Sequence, residues 1–202
     1  MIAIVDYGMG NIHSVQKALQ LFGAQTLVTN SPQDILACQK VVLPGVGAFA
    51  DAMQELEKQN LIPALIKHIK NKKTFLGICL GMQLLLEASQ ESKGVRGLSI
   101  IKGKVVKFKE KNLKVPHMGW NQLDKISQEC PLLKDILKNP YVYFCHSYYP
   151  DPKEKNVIAS TTNYGTDFPS VIWKENIYGV QFHPEKSQSI GLKIIENFVK
   201  LC

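Results

Sequence analysis

The stretch 74-TFLGICLGMQLLLEA-88 decides how this chain folds. Its first five residues, Thr74 to Ile78, have the apolar, strand-like character of a buried β-segment, and a helical pattern from Leu80 to Ala88 follows with no linker. Cys79 stands on the corner between them. Gly77 and Gly81 flank it, so backbone and substrate can approach closely at the turn. A buried strand that passes straight into a helix predicts a βα unit in which the strand lies inside a covered sheet.

The same alternation extends toward the N-terminus. Ile2 to Val5 is a short apolar run, broken by the turn residues Asp6 to Gly10, and Ile12, Val15, Leu19 and Phe22 then recur at helical spacing. Ala24 to Val28 reads as a second strand, Ser31-Pro32-Gln33-Asp34 as an N-cap with proline at the first helical position, and Lys40 to Leu43 as a third strand. Helices are predicted over Ala48 to Gln59 and Leu61 to Ile69. Strands alternating with helices over the first ninety residues imply a parallel sheet covered on both faces, with reactive groups at the carboxyl ends of its strands.

Beyond Ala88 the character changes. Leu98 to Lys109 suggests a hairpin turning at Lys102-Gly103, and β-rich segments follow at Tyr141 to Phe144, Val157 to Thr162, Val171 to Trp173 and Tyr178 to Phe182. An amphipathic helix from Ile190 to Leu201 ends the chain. The expected fold class is α/β, an open and mostly parallel sheet with helices on both faces and an added antiparallel β region in the second half.

At 202 residues the length suits one domain, 1–202, with a buried core. The 45% hydrophobic and 20% charged composition is that of an ordinary soluble globular protein. The N-terminus lacks the pattern of a signal peptide, and no run approaches the roughly 20 apolar residues of a membrane span, so the expectation is a cytoplasmic protein without a membrane partner. Five scattered cysteines, Cys38, Cys79, Cys130, Cys145 and Cys202, contain no CxxC pair and suggest neither a disulfide framework nor a metal site. The net charge of +7 is spread over lysines such as Lys67, Lys70, Lys72 and Lys73 and the run Lys102, Lys104, Lys107, Lys109 and Lys111, with few aromatics between them. That spacing fits solvated faces, and no nucleic-acid partner is expected.

Three motifs carry chemistry. The cysteine corner follows the logic of a nucleophile elbow, and a helix N-terminus favours the thiolate. In Gly179-Val180-Gln181-Phe182-His183-Pro184-Glu185-Lys186-Ser187, His183 follows an apolar strand and Glu185 stands two residues on, a pairing that would complete a Cys–His–Glu triad. Singly, His183 reads more readily as a structural histidine; the pairing is what points to catalysis. Leu43-Pro44-Gly45-Val46-Gly47-Ala48-Phe49 is a glycine-rich loop after a strand whose backbone N–H groups could face an oxyanion or a phosphate, although it lacks a P-loop pattern. The early Gly8-Met9-Gly10-Asn11 does not complete GxGxxG.

GICLGMQ, HPEKS and PGVGAF, in their positions along the chain, resemble the class I (triad) glutamine amidotransferases. DYGMGNI at the start, VPHMGWN at Val115 to Asn121 and YFCHSYY at Tyr143 to Tyr149 resemble, within that class, the glutaminase subunits of imidazole glycerol phosphate synthase. The likeness spans essentially the whole chain. It implies a flavodoxin-like glutaminase, needing no cofactor and no metal, that docks as a heterodimer on a (β/α)8-barrel cyclase. Ammonia from L-glutamine then passes to PRFAR, and the products are imidazole glycerol phosphate and AICAR in histidine biosynthesis. By this resemblance Cys79 is the nucleophile, His183 the base and Glu185 its orienting partner. Val46 and Gly47 with the Leu80 amide make the oxyanion site; Gly47, Gln83, Glu91, Ser147 and Tyr148 surround glutamine. Asn11, Trp120, Tyr143, His146 and Lys186 face the partner. Cys145 departs from the plain apolar residue expected at its place. Two alternatives stay open: the same glutaminase chemistry serving another acceptor, such as amidine formation on a surface sugar, and a non-enzymatic binding protein on this fold, against which the intact Cys79, His183 and Glu185 argue.

Overall fold

A computed structural model describes residues 1–109 and 113–202; Lys111 of the second-half lysine run lies outside them. The first half alternates as the periodicity predicts: β1 Ile2–Val5, α1 Ile12–Gln20, β2 Thr26–Thr29, α2 Pro32–Ala37, β3 Lys40–Gly45, α3 Phe49–Lys58, α4 Ile62–Lys70, β4 Thr74–Cys79 and α5 Leu80–Gln83. The second half holds β5 Ala88–Ser89, β6 Gly103–Lys107, β7 His117–Gln122, β8 Tyr141–His146, β9 Tyr148–Pro152, β10 Ile158–Asn163, β11 Asp167–Lys174, β12 Ile177–Val180 and α6 Gln188–Lys200. The main sheet has the order β10-β11-β12-β4-β3-β1-β2. Its β12, β4, β3, β1 and β2 are mutually parallel, and β11 and β10 continue it antiparallel.

Period-2 alternation splits the core into two layers. Ala3, Val5, Val41, Leu43 and Phe75 point to one face, where Ile35, Phe49, Leu56 and Leu65 of α2, α3 and α4 cover them. Ile2, Ile4, Val42, Leu76 and Ile78 point to the other, under Val15, Leu19, Ile194 and Phe198 of α1 and α6. Ser31 caps α2 through a hydrogen bond accepted from the Asp34 N–H, with Pro32 at the first helical position. The Lys40 ammonium donates to the carbonyls of Phe198 and Val199, tying the end of α6 to the sheet.

Two expected elements differ. The helix after Cys79 was expected to reach Ala88 but ends after one turn at Gln83. The carbonyls that would continue it are taken by a distant segment: Leu98 N–H donates to Leu84 at 2.8 Å, Ile100 and Ile101 to Leu85 at 3.0 Å and Ser99 to Leu86 at 3.3 Å. Leu84, Leu85 and Leu86 are all fully buried, so there is no amphipathic face for a helix to present. The hairpin expected over Leu98 to Lys109 is absent for the same reason: Leu98 to Ile101 docks on Leu84 to Leu86, just past α5, and only β6 is a strand. β6 pairs with β9 and β5 in a small separate sheet. Gly103 is therefore no turn residue but a close crossing, where a Cβ would strike the Asp151 carbonyl oxygen. β7 and β8 form a third, two-stranded ribbon.

Candidate active site

β3, β4 and β12 end together at one edge of the sheet. Gly45 lies opposite Cys79 and Val180 opposite Ile78, so the loop at Val46, the corner at Cys79 and the run to His183 emerge side by side. Cys79 takes φ 53° and ψ −107°, a backbone strain of about 1–3 kcal/mol that only an over-determined setting holds. The glycines supply that setting. A Cβ on Gly81 would run into the Leu43 carbonyl oxygen, and one on Gly77 would lie 2.5 Å from the Gly81 oxygen.

His183 Nδ1 lies 3.0 Å from Glu185 Oε1, and the two side chains are only 5% and 1% exposed. The second oxygen of Glu185 is buried without a partner among the described residues, so the carboxylate charge is directed chiefly at the imidazole. Burial, the largest single influence on His183, disfavours its charged form. Hydrogen bonding to Cys79 and Glu185, and the negative charge on each, outweigh it and push the pKa up to about 10. With Nδ1 engaged by Glu185, Nε2 is the nitrogen left for the sulfur. Tyr7, buried nearby, donates to the Pro44 carbonyl at 3.0 Å and so steadies the strand that leads into the Val46 loop. Burial and the charge of Cys79 raise its pKa.

The facing wall is the ribbon. His183 N–H donates to the Tyr143 carbonyl at 2.9 Å, Tyr143 N–H donates to Ser187 Oγ at 2.9 Å, and the Ser187 hydroxyl donates to the His183 carbonyl at 2.6 Å. This ring of contacts pins β8 against the histidine. On the inward side of the ribbon, His146 Nδ1 donates to the Tyr148 carbonyl at 2.8 Å, and its Nε2 accepts from His117 Nδ1 at 3.1 Å. Burial pushes His146 down to about 3 and His117 down to about 4, so both are neutral imidazoles.

A cavity of about 310 Å³ lies between the two walls. Cys79 and His183 line it, with Glu185 behind the histidine. Val46, Gly47 and Leu80 border it at the cysteine, and Gln83, Glu91, Ser147 and Tyr148, the positions expected around the substrate, also line it. Glu91 also accepts the first N–H of α3, from Phe49, at 2.8 Å. Gln83 spends its N–H groups on the Tyr148 carbonyl and on Gln181, so its own carbonyl oxygen is what it has to offer the cavity it lines.

Of the five positions expected to face a partner, Tyr143 and Lys186 line the mouth and Trp120 is 46% exposed on the outer face of the ribbon, edge-on to Tyr143. Asn11 starts α1 beside the Pro44 loop, half-buried and outside the cavity. His146 lines the cavity at 6% exposure, its ring turned inward by its bonds to Tyr148 and His117. Cys145 is half-buried at the mouth, and its carbonyl lies 3.9 Å from Cys79 Sγ. Sequence reasoning passed over Gln181, His117 and Met118, which is 62% exposed beside Trp120. Among the described residues no group of three or more His, Cys, Asp or Glu side chains is placed to hold a metal ion.

Residues 3–202 match the family described as Glutamine amidotransferase class-I. The chain belongs to the class I glutamine amidotransferases. It is 52% identical over 201 residues to the imidazole glycerol phosphate synthase subunit HisH of Methanocaldococcus jannaschii, with 100% of both chains covered. It is 48% identical over 203 residues to subunit HisH of Geobacter sulfurreducens, covering 98% of this chain and 97% of the relative. Within the family this amidotransferase therefore groups with the HisH subunits. Solved structures share its fold at lower identity. The structure of PurLQS from Thermotoga maritima aligns with TM-score 0.74 at 15% identity over 98% of this chain and 96% of that one. The glutaminase domain of Trypanosoma brucei CTPS aligns with TM-score 0.69 at 14% identity, over 98% and 90%.

Proposed function

We propose that the protein is the glutaminase subunit of an imidazole glycerol phosphate synthase, acting in histidine biosynthesis as a single cytoplasmic amidotransferase domain, and that Cys79, His183 and Glu185 are its triad. The observation that carries this reading is the strained Cys79 corner opening into the same cavity as a buried imidazole whose Nδ1 is held by Glu185. The sulfur attacks the side-chain amide carbon of L-glutamine, and the carbonyl π-electrons move onto oxygen. Backbone N–H groups of the Val46-Gly47 loop and of Leu80 receive that oxyanion, each worth on the order of 3 kcal/mol. The proton on His183 passes to the leaving nitrogen as the C–N bond breaks. Water, losing its proton to the same imidazole, then cleaves the thioester and frees glutamate. Gln83, Glu91, Ser147 and Tyr148 hold the amino-acid substrate.

The acceptor lies on a (β/α)8-barrel cyclase. Val46 at the cavity, and Met118 and Trp120 on the ribbon beside the lining residues Cys145 and Tyr143, are large apolar side chains 42%, 62% and 46% exposed; Lys186 lines the cavity and Asn11 lies beside the Pro44 loop. A cover there would exclude water from the thioester and lead ammonia away to the barrel, where PRFAR is converted to imidazole glycerol phosphate and AICAR. The Pro44–Gly47 loop stands at that face, so docking can complete the oxyanion site. The test is glutamate release by the purified chain with and without its barrel subunit and PRFAR. At least about tenfold activation by the loaded barrel, ~1.4 kcal/mol, is expected; full turnover by the chain alone, unmoved by barrel or PRFAR, overturns the partner reading.

A further inference from the structure

Gln181 is fully buried beside the sulfur, and no step above uses it. Its Nε2 lies 3.6 Å from Cys79 Sγ, and its Oε1 lies 3.0 Å from Gln83 Nε2. Gln83 Nε2 lies in turn 2.9 Å from the carbonyl oxygen of Tyr148. That last contact decides which end of each amide carries the protons. A backbone carbonyl only accepts, so Gln83 must turn its NH2 group to Tyr148. The second proton of that group goes to the Gln181 oxygen, which leaves Gln181 to turn its own NH2 toward the sulfur. Reversing either amide would set acceptor against acceptor or donor against donor in a buried site, where an unmade hydrogen bond is costly. Tyr148 is itself held: its carbonyl also accepts from His146, and its backbone pairs with Lys107 of β6.

We propose that Gln181 is the donor that holds the Cys79 sulfur in its thiolate form and aims it into the cavity, with Gln83 and the Tyr148 carbonyl fixing the amide. The neutral thiol has another partner, the Cys145 carbonyl at 3.9 Å, to which S–H can donate. A thiolate cannot use an acceptor, so on ionisation the sulfur depends on its donors. An N–H to an anionic sulfur is a charge-assisted bond, stronger than one to a neutral thiol. An amide suits this place better than a lysine or arginine would. A second cation would lower the nucleophilicity of the sulfur along with its basicity, whereas a neutral donor leaves the ion pair, and the proton the leaving nitrogen needs, with His183.

The inference rests on Cys79 being the nucleophile, and the experiment separates the two. In the full-length chain with its barrel subunit, iodoacetamide labelling of Cys79, located by peptide mass, is followed against pH for the native protein, Gln181→Met and Gln181→Glu, beside glutaminase kcat and KM. In Gln181→Met, labelling near pH 7 falls about tenfold and the rising limb of the profile moves about one unit to higher pH. The loss in turnover falls on kcat rather than KM. In Gln181→Glu, of nearly the same shape, the carboxylate repels the thiolate and labelling is slower still; this variant decides the matter if the methionine one does not fold. A folded variant whose labelling profile coincides with the native one overturns the role of Gln181 and leaves the nucleophile assignment standing. A native protein in which Cys79 resists labelling while glutamine is hydrolysed overturns both.

Discussion

His183 and His146 wall the same cavity, are 4% and 6% exposed, and are held in opposite states of charge. His183, at the edge of the parallel sheet, has the Glu185 carboxylate and the Cys79 sulfur as partners and is pushed up to about 10. His146, in the β7–β8 ribbon, has a backbone carbonyl and a second neutral imidazole and is pushed down to about 3. Burial acts in the same direction on both, so it cannot separate them. What separates them is whether an anion stands within hydrogen-bond reach. The sheet edge holds the charged imidazole, and the ribbon supplies a neutral, shaped wall.

The contrast breaks most sharply through turnover. Cys79→Ala and His183→Asn should each lower glutamine-dependent glutamate release by roughly 10⁶-fold, as loss of a nucleophile or its base does in hydrolases that work as a unit. Glu185→Gln should lose less, about 10⁴-fold, since it orients the imidazole and sets its tautomer rather than transferring the proton. His146→Asn, which removes a neutral wall residue, should stay within about tenfold, ~1.4 kcal/mol. Steady-state kinetics of the complex check all four. A His146→Asn variant as inactive as His183→Asn would place proton chemistry in the ribbon and dissolve the distinction.

A middle-sized effect is expected in stability against pH. His146 and His117, with folded values near 3 and 4, refuse protons that the unfolded chain accepts below about 6.5. Their contribution is whole above that value and is lost as pH falls through about 4 for His117 and about 3 for His146. His183 has the opposite sign: its contribution is whole below about 6.5 and is lost as pH rises through about 10. Thermal melts should show Tm dropping by several degrees on each side, with each kcal/mol worth about 2–4 °C in a chain of this size. His117→Phe, which fits the stack between Phe144 and Tyr164, should flatten the acid limb only, and His183→Asn the alkaline limb only. If either variant moved the other's limb, the two walls would be one titrating unit.

These two regions also differ in how far the amino-acid sequence discloses them. The parallel half is legible because each strand and helix carries its own period, and the corner at Cys79 is legible because Gly77 and Gly81 approach each other across one strand-to-helix turn. The end of α5 is not, since donors from residues 98–101 decide it, and nothing local in Leu84-Leu85-Leu86 announces them. The ribbon is harder again: His117 and His146 read as two separate histidines until β7 and β8 pair them. Gln181 had a usable signal. Extending the pairing of Val180 with Ile78 by one residue sets it opposite Cys79, but that register becomes known only once β12 is seen to lie beside β4.

The smallest effect on the chain itself is expected on the ribbon's outer face, where neutral wall passes into docking surface. Trp120 packs edge-on against Tyr143 at 6.1 Å between ring centroids and is 46% exposed, so its truncation removes little from the core. Trp120→Ala should therefore change the stability of the isolated chain by less than about 1 kcal/mol and leave iodoacetamide labelling of Cys79 unaltered, because the corner is held by Gly77, Gly81 and Leu43 on the far side of the sheet edge. A large aromatic at the centre of an interface is, however, where binding energy concentrates, and affinity for the barrel should fall by about 2 kcal/mol, roughly thirtyfold. Titration of the barrel subunit followed by calorimetry, beside a thermal melt of the free chain, measures both. Were the melt to fall by several kcal/mol while affinity held, Trp120 would belong to the packing of the ribbon, and the outer face would lose its claim to be the docking surface.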